Sequence, residues 1–551
     1  MYYKKLEFKI LLLFSFVLIF CSLLPPIWGY DEYGSIITHL ELNDIRFKEQ
    51  YLNYFIKIGF SYKLGVFFTE YLLPVFIVPI RWTYALGISP IYELARIINL
   101  DWGPLRLIFL SLHILLAVFG LSLINKVLVK HTKNKIILIL FTSIIFFSLP
   151  FLYWTLTLSP YSFHLFCFGL VVYYEVNYEK GESSFFSKKS FSRSIVQLFN
   201  YQYIPVIAAI GFFDFVTNPV KFFKSKKYKS WVIPFFVSVV TILFLLARAV
   251  ISNKHVNPSL SVMAFNDEPN KYDLLSQATS INELLIFLFS RIKDIFQYFF
   301  QHDSYYVLLS EHYSELSFFS AIIFLCCSIY IIFKLINIKS KLSRLLLIFL
   351  FTNLVLYISN IYPFMPSRHS LISFLPLAML FTLIISNLKL NFKIKNGIIF
   401  IIFGLSLFTL AKNYNVTSTP LNKNYLLSTL EEKNIDRLVI KPCDQEPLFY
   451  LNELENYKPL YQCGNMIIEI LNEEYYRFAV YSKTDTNFTE AKIIINPFLV
   501  NNGKNYSFKF IEQLKQNLIF DPNNFGNVDH TFTIIEVRKN KDKTELENSS
   551  K

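Results

Sequence analysis

The chain has 551 residues, of which 54% are hydrophobic, and a mean hydropathy of +0.40. Soluble domains rarely reach such values, and apolar runs of about 20 residues, long enough to cross a bilayer, recur along most of the length. The formal net charge of +13 goes with lysine clusters between these runs, which the positive-inside rule explains better than nucleic-acid binding does. The chain contains only 15 glycines, and this low number favours transmembrane helices over a β-barrel. The composition therefore predicts an α-helical polytopic membrane protein.

The first apolar run, at about residues 8–27, follows lysines and lacks a small-residue cleavage site. This predicts an uncleaved first span with a cytoplasmic N-terminus. The next clear span, at about 105–125, precedes a basic cluster, so residues 28–104 are expected to form a long outer loop. Within this loop, the run 64–86 is predicted to lie at the interface or to dip in and back.

Spans three and four are predicted at about residues 136–152 and 160–176. The run 195–217 has basic residues on both flanks, and both flanks favour the cytoplasm. A re-entrant hairpin, broken near Pro205 or Gly211, satisfies both flanks where a single crossing does not.

The later part of the membrane region completes about nine crossings plus the hairpin. Residues 250–315 are expected to form a second outer loop with an amphipathic segment near 282–300. The domain prediction is a transmembrane domain at 1–412 and an extracytoplasmic domain at 413–551. The remaining spans are predicted at about 231–249, 316–336, 345–361, 369–387 and 396–412.

The C-terminal domain is polar and predicted to be a small α/β unit. Strand-like runs lie at 437–442, 477–482, 491–497 and 532–537, and a helix-like stretch lies at 425–433. Cys443 and Cys463 are the only cysteines of this domain. In an oxidising compartment, a disulfide between them would close a loop of about 20 residues and contribute ~3 kcal/mol. Two unpaired thiols are the alternative.

Two adjacent carboxylates, Asp31 and Glu32, lie just beyond the first span in the stretch "PPIWGYDEYGSI". A carboxylate at this boundary is suited to take a proton from an acceptor hydroxyl that attacks a lipid-borne electrophile. Helix capping by Asp31 and metal binding by the pair are the alternatives.

Arg368 and His369 lie on the expected outer side, where a late span begins. Outer arginines are disfavoured in membrane proteins, and a guanidinium beside an imidazole offers charge and forked donors to a phosphate. An arginine that reaches toward anionic headgroups is the alternative.

The turn "WTLTLSPYSFH", between spans three and four, contains Trp154, Tyr161 and His164. These side chains are candidates to stack on a sugar or to line a lipid path. An aromatic belt at the membrane interface is the competing interpretation.

The order of these features resembles the glycosyltransferase-C superfamily, especially the branch similar to protein O-mannosyltransferases and lipid A aminoarabinose transferases. The resemblance is carried by the N-terminal span, the outer loop that opens with Asp31 and Glu32, the many spans, and "SRHSLISFLPLAMLF" (367–381) entering a late span. In that branch the late span begins with Arg, a second polar or aromatic residue and a Leu/Pro-rich run. Here the second residue is His369.

The resemblance implies an inverting glycosyltransferase that takes a sugar from a polyprenyl-phosphate donor on the outer face. Asp31 would be the general base, and Glu32 would orient the acceptor or share the proton. Arg368 with His369 would hold the departing lipid phosphate. No cofactor is expected, because fixed cations stabilise a phosphate leaving group. Oligosaccharyltransferase-like members use a metal, so a divalent ion stays an alternative.

The expected partners are the lipid-linked donor, membrane lipid and a surface glycan or lipid acceptor such as lipopolysaccharide, in a bacterial inner membrane. Three other function classes stay open. A glycan polymerase or ligase would use outer arginines such as Arg248 and Arg291. A transporter or flippase would need charges within the spans. A receptor would tolerate replacement of Asp31.

Overall fold

The computed structural model describes residues 2–23, 45–72, 102–132, 136–156, 160–178, 184–252, 280–299, 340–358, 370–387, 391–413, 430–440, 460–463, 466–467, 471–482, 487–518 and 528–540. The chain divides into two compact units. The larger unit contains nearly all of the helices up to Asn413, and the smaller unit contains a mixed β-sheet.

The larger unit is helical. Its helices are α1 Tyr2–Leu23, α2 Ile45–Lys57, α3 Tyr62–Phe67 with a π-helical turn Phe68–Leu72, α4 Trp102–Thr132, α5 Ile137–Phe147, α6 Leu149–Thr155, a 3-10 turn Pro160–Phe163, α7 His164–Asn177, α8 Lys188–Phe199, α9 Tyr203–Thr217, α10 Pro219–Lys224, α11 Lys229–Ser252, α12 Ile281–Phe299, α13 Lys341–Ile358, α14 Leu371–Asn387 and α15 Phe392–Asn413.

Among the described residues, two helices are long and apolar enough to cross a membrane. They are the Leu110–Thr132 part of α4 and the Lys229–Ala247 part of α11. Helices α5, α9 and α14 are apolar but shorter. The predicted helical class is therefore confirmed, together with a small sheet, whereas the count of about nine crossings stays a prediction.

The larger unit has an apolar exterior as well as an apolar core. Phe16 of α1, Phe235 of α11 and Phe408 of α15 are each at least 65% exposed. Helix α8 buries Lys189, Arg193 and Gln197 together with Val196 and Phe199, whereas Phe191 is exposed. Such an arrangement suits a surface that faces hydrocarbon rather than water.

The predicted third span is two helices rather than one, because the chain breaks at Ser148 between α5 and α6. Ser148 takes an extended conformation, and its Oγ accepts a hydrogen bond from the backbone N–H of Phe151 (3.3 Å). Pro150 lies in the first turn of α6, where its missing N–H costs nothing. A serine cap followed by a proline therefore restarts the helix.

The run 195–217 comprises the end of α8 and the whole of α9, and the break predicted near Pro205 or Gly211 is wrong because α9 is continuous from Tyr203 to Thr217. The re-entrant hairpin itself stays a prediction. The turn lies at residues 200–202, where Asn200 is extended and its Oδ1 accepts from the backbone N–H of Gln202 (3.0 Å). Pro205 is in the first turn of α9, where prolines are tolerated. Gly211 lies within α9 and leaves room for Trp231, whose ring a Cβ would meet at 3.1 Å.

Helices α4 and α7 cross through a pair of glycines. A Cβ at Gly120 would overlap the backbone of Leu165, and a Cβ at Gly169 would overlap the backbone of Gly120. Only residues without a side chain allow the two backbones to approach so closely. The crossing fixes the position of α7, which carries the residues described in the next subsection.

Helices α2 and α3, from the predicted outer loop, pack on α11 through aromatic rings. The Phe55 ring lies 5.5 Å from that of Phe244 and 5.3 Å from that of Phe68. Lys48 Nζ donates to Glu70 Oε2 (3.1 Å) at the edge of this contact. The predicted interfacial segment 64–86 is described only as far as residue 72, within the end of α3 and the π-helical turn.

The smaller unit contains a mixed sheet and a helix. Its elements are β1 Arg437–Ile440, β2 Leu460–Cys463, β3 Met466–Ile467, β4 Tyr475–Ser482, α16 Phe488–Ile495, β5 Tyr506–Leu518 and β6 Val528–Lys539. The strand order is β3-β2-β1-β4-β6-β5. Strand β1 is parallel to β2 and β4, whereas β6 is antiparallel to β4 and β5. Side chains of β4 and β6, including Phe478 and Val537, form a core with Ile494 of α16.

Three of the four predicted strands correspond to β1, β4 and β6, but the strand predicted at 491–497 is wrong. That run is the end of α16 followed by a 3-10 turn. Asn487 Oδ1 accepts from the backbone N–H of Glu490 (2.9 Å), and Glu490 Oε2 accepts from the backbone N–H of Asn487 (3.2 Å). This capping box starts a helix despite the β-branched residues that follow.

Candidate functional site

The three aromatic residues predicted between spans three and four lie together in the larger unit. Trp154 is in the last turn of α6, Tyr161 is in the 3-10 turn that begins at Pro160, and His164 is the first residue of α7. The Trp154 and Tyr161 ring centroids are 5.4 Å apart, and those of Tyr161 and His164 are 6.2 Å apart. The short connection from α6 to α7 therefore arranges the three rings in a row.

Two distant segments complete this group. Trp154 Nε1 donates a hydrogen bond to the hydroxyl of Tyr298 in α12 (3.1 Å). The hydroxyl of Tyr203, at the start of α9, donates to the backbone carbonyl of His164 (3.1 Å). We call Trp154, Tyr161, His164, Tyr203 and Tyr298 the aromatic cluster.

The imidazole of His164 is the most polar buried group of the cluster. Its exposed fraction is 1%, and the amide nitrogen of Asn200 lies 3.4 Å from Nδ1. When that amide donates to Nδ1, the ring proton is on Nε2. Nε2 has no hydrogen-bond partner among the described residues, which omit 157–159 in the same turn. A buried N–H group without an acceptor costs roughly 1–3 kcal/mol of stability. Nε2 is therefore suited to donate a hydrogen bond to an acceptor atom of a ligand.

The cluster is tightly packed rather than a belt of rings on the surface. Tyr161 is 4% exposed, and Trp154 is half-buried. Next to it, His113 Nδ1 of α4 lies 2.6 Å from Ser162 Oγ, and the His113 ring packs at a tilt against Phe163 with centroids 4.5 Å apart. Trp154 is thus the ring of the predicted trio that is most open to a sugar.

A second polar group, not predicted from the sequence, lies at the other end of α7. Arg193 Nε donates to Glu175 Oε1 (2.7 Å), and Lys189 Nζ lies 3.5 Å from Glu175 Oε2. The Arg193 guanidinium also lies 3.8 Å from Asp214 Oδ2. We call Glu175, Lys189, Arg193 and Asp214 the ionic cluster.

The ionic cluster ties three helices to α7. The Arg193 guanidinium carbon lies 3.4 Å from the Trp231 ring centroid, and its Nη1 donates to Ser230 Oγ (3.2 Å), both at the start of α11. Lys189 and Arg193 belong to the basic flank before the run 195–217, which is predicted to be cytoplasmic, and both are buried. The signal in the sequence was the single carboxylate Glu175 in an apolar run, with two cations four residues apart nearby.

The other predicted site residues lie outside the described residues. They are the general-base candidates Asp31 and Glu32 and the phosphate-binding candidates Arg368 and His369. Cys443 also lies outside, and Cys463 is the last residue of β2. The predicted disulfide therefore stays a prediction, as do the roles of the other four residues.

Among the residues that the structure describes, no group of three or more His, Cys, Asp or Glu side chains is arranged to hold a metal ion. Asp31 and Glu32 were not among them, so the metal alternative for that pair stays open.

The arrangement offers aromatic faces, hydroxyls and one buried imidazole donor at one end of α7, and compensated charges at the other end.

Compared with known proteins, the chain matches no family model, and no curated protein matches it.

Proposed function

We propose that this protein is a membrane glycosyltransferase that moves a sugar from a polyprenyl-phosphate donor to a hydroxyl of a surface glycan or lipid. The reaction takes place at the outer face of a bacterial inner membrane, and the chain crosses that membrane about nine times with α8 and α9 as a re-entrant hairpin. The observation that carries the proposal is the aromatic cluster at the α6–α7 turn, formed by residues far apart in sequence.

The chemistry of the cluster suits a carbohydrate ligand. Half-buried Trp154 presents a ring face of the kind on which the apolar face of a pyranose stacks. The buried Nε2 of His164 donates to an oxygen of the sugar or of its phosphate. Tyr298 and Tyr203 fix the orientation of these two side chains through the indole N–H and the His164 carbonyl.

The apolar exterior of the larger unit supports a membrane setting for the reaction. Exposed phenylalanines on α1, α11 and α15 face outward, and α8 buries Lys189 and Arg193. A lipid-linked donor reaches such a unit laterally through the bilayer. Its sugar then stays at the interface, where a turn such as 154–164 would meet it.

The residues predicted at the reacting centre would act in one displacement. Asp31 takes the proton of the acceptor hydroxyl as that oxygen bonds to the anomeric carbon, while Glu32 orients the acceptor. The bond from the anomeric carbon to the phosphate oxygen breaks, and its electron pair leaves with the polyprenyl phosphate. Arg368 and His369 stabilise the charge of this leaving group. A single attack inverts the anomeric centre.

The test is sugar transfer by purified, reconstituted protein from a polyprenyl-phosphate sugar pool to native membrane glycans, read by mass spectrometry. Asp31→Asn is expected to reduce transfer by roughly 10²–10⁴-fold, the typical contribution of a general base. Arg368→Ala is expected to weaken use of the donor. If both variants leave the membrane glycans unchanged, the proposed glycosyltransferase function is wrong.

His164→Asn tests the aromatic cluster itself. The shorter amide can still meet Asn200 near the position of Nδ1 but has no donor at the position of Nε2, so transfer is expected to fall about tenfold or more while folding is retained. His131→Asn, at the exposed end of α4, is the matched control and is expected to transfer normally. Equal activity of the two variants would remove His164 from the site.

A transporter is the second candidate function, and the ionic cluster favours it. Ionisable residues inside membrane helices commonly mark ion or substrate paths. Glu175 and Arg193 are both buried and form an ion pair in the contact between α7 and α8. Uptake of labelled lipid-linked sugar by proteoliposomes, with Asp31→Asn fully active, would favour transport over transfer.

A further inference from the structure

We propose that the lysine- and phenylalanine-rich surface at the start of α11 binds the anionic phospholipid headgroups of the cytoplasmic leaflet. This surface, the lysine–phenylalanine patch, comprises residues 184–188 and 219–229. The inference rests on the membrane placement of the proposed function, but it concerns a site on the opposite end of α7 from the aromatic cluster.

The chain is shaped to hold the lysines outward. Asn218 Oδ1 accepts a hydrogen bond from the backbone N–H of Lys221 (3.0 Å) and so caps the short helix α10. Lys226 has a φ of 55°, in the left-handed region, and there the chain turns from α10 toward α11. Lys221, Lys224 and Lys226 are exposed along this turn.

Apolar side chains lie between these lysines. Val220 and Phe223 are 62% and 58% exposed. The Phe223 ring is held by edge-on contacts with Phe215 and Phe222, at centroid distances of 6.1 and 5.6 Å. A fixed and exposed ring beside a cation suits the headgroup region, where the ring enters the acyl boundary and the ammonium meets phosphate.

The segment 184–188 extends the same surface. Lys229 Nζ lies 5.3 Å from the Phe185 ring centroid, which joins the two segments. Phe186 is 88% exposed, and Lys188 Nζ lies 4.9 Å from the Tyr178 ring centroid. The patch is therefore one surface made from the connection before α8 and the connection after α9.

The patch contains lysines but no carboxylate of its own. Neither 184–188 nor 219–229 contains an acidic residue. No ion pair within the described part of the chain involves Lys221, Lys224 or Lys226. Lysines so arranged attract anionic lipid, and several adjacent ones act together.

The position of the patch selects a lipid partner over an acidic protein or a nucleic acid. It borders Lys229, where the candidate span Lys229–Ala247 begins, and Phe235 and Phe236 on the first turns of that span are exposed. Lysines directly before a hydrocarbon-facing helix lie at headgroup depth. A soluble polyanion would meet the lysines but leave the rings in water.

The test is native mass spectrometry of the full-length protein, purified in a mild detergent and titrated with phosphatidylglycerol or with phosphatidylcholine. The unsubstituted chain is expected to retain phosphatidylglycerol preferentially. The variant Lys221→Gln/Lys224→Gln/Lys226→Gln is expected to lose roughly tenfold or more in apparent affinity for it. The matched control Lys492→Gln/Lys504→Gln/Lys509→Gln removes the same charge from exposed positions of the smaller unit and is expected to bind normally.

A second variant, Phe223→Ser, is expected to reduce retention of both lipids, because it removes the apolar anchor without changing charge. Equal retention of phosphatidylglycerol by the three-lysine variant and the unsubstituted chain would overturn the inference. So would displacement of the lipid by heparin at equal charge concentration, which would indicate a soluble polyanion. Lipid selectivity without sugar transfer would reject only the proposed function, whereas transfer without selectivity would reject only this inference.

Discussion

At the scale of single residues, the ionic cluster is the feature with the largest predicted effect on stability. The Arg193 guanidinium is 1% exposed and contacts Glu175, Asp214, Ser230 and Trp231. Arg193→Met leaves the two carboxylates without their main counter-charge, which typically costs ~3–5 kcal/mol. The expected result is a clear fall in the melting temperature of the detergent-solubilised protein.

The double variant Glu175→Gln/Arg193→Met distinguishes two causes of the stability loss, an uncompensated charge and lost packing. If an uncompensated charge is the cause, the double variant is more stable than Arg193→Met alone. Arg538→Met, on an exposed arginine of β6, is the control and is expected to melt like the unsubstituted protein. A double variant that melts at or below the temperature of Arg193→Met would contradict the argument from charge.

At the scale of elements, the crossing of α4 and α7 depends on Gly120 and Gly169. Gly169→Leu forces the two backbones apart, and overpacking of this kind costs about 1–3 kcal/mol or more. Because α7 carries both His164 and Glu175, sugar transfer is expected to fall together with the melting temperature.

Gly404→Leu provides the matched control for this prediction. Gly404 lies within α15, and a Cβ there meets no atom within 4 Å. The variant is expected to change neither the melting temperature nor the rate of sugar transfer. Similar losses for Gly404→Leu and Gly169→Leu would mean that leucine itself, rather than the crossing, is the cause.

At the scale of the whole molecule, the testable property is the side of the membrane on which each unit lies. Ser225, between the lysines after α10, is predicted to be cytoplasmic, whereas Lys504, before β5, is predicted to be extracytoplasmic. A membrane-impermeant maleimide is expected to label Lys504→Cys in intact spheroplasts. It is expected to label Ser225→Cys only after permeabilisation, with the unsubstituted chain as the background. The reverse pattern would invert the topology and move Asp31 to the cytoplasm.

Much of the architecture is predictable from local sequence. Long apolar runs gave helices at or near the expected positions for α4, α11 and α14, because an apolar run of that length has few other ways to satisfy its backbone. The strands predicted at 477–482 and 532–537 likewise lie within β4 and β6. The breaks at Ser148 and Asn200 were missed, because a capping side chain acts within one turn and competes with the strong signal of the surrounding apolar residues.

The sequence by itself determined the helical class, the small C-terminal sheet and the proximity of Trp154, Tyr161 and His164, which follows from their position in one short turn. Only the tertiary structure decided that Tyr298 and Tyr203 join this turn, and that Arg193 is buried against Glu175. The physical reason is that a hydrogen bond or an ion pair between distant segments depends on helix packing. That packing is set by small contacts such as Gly120 on Gly169, which no single stretch of sequence contains.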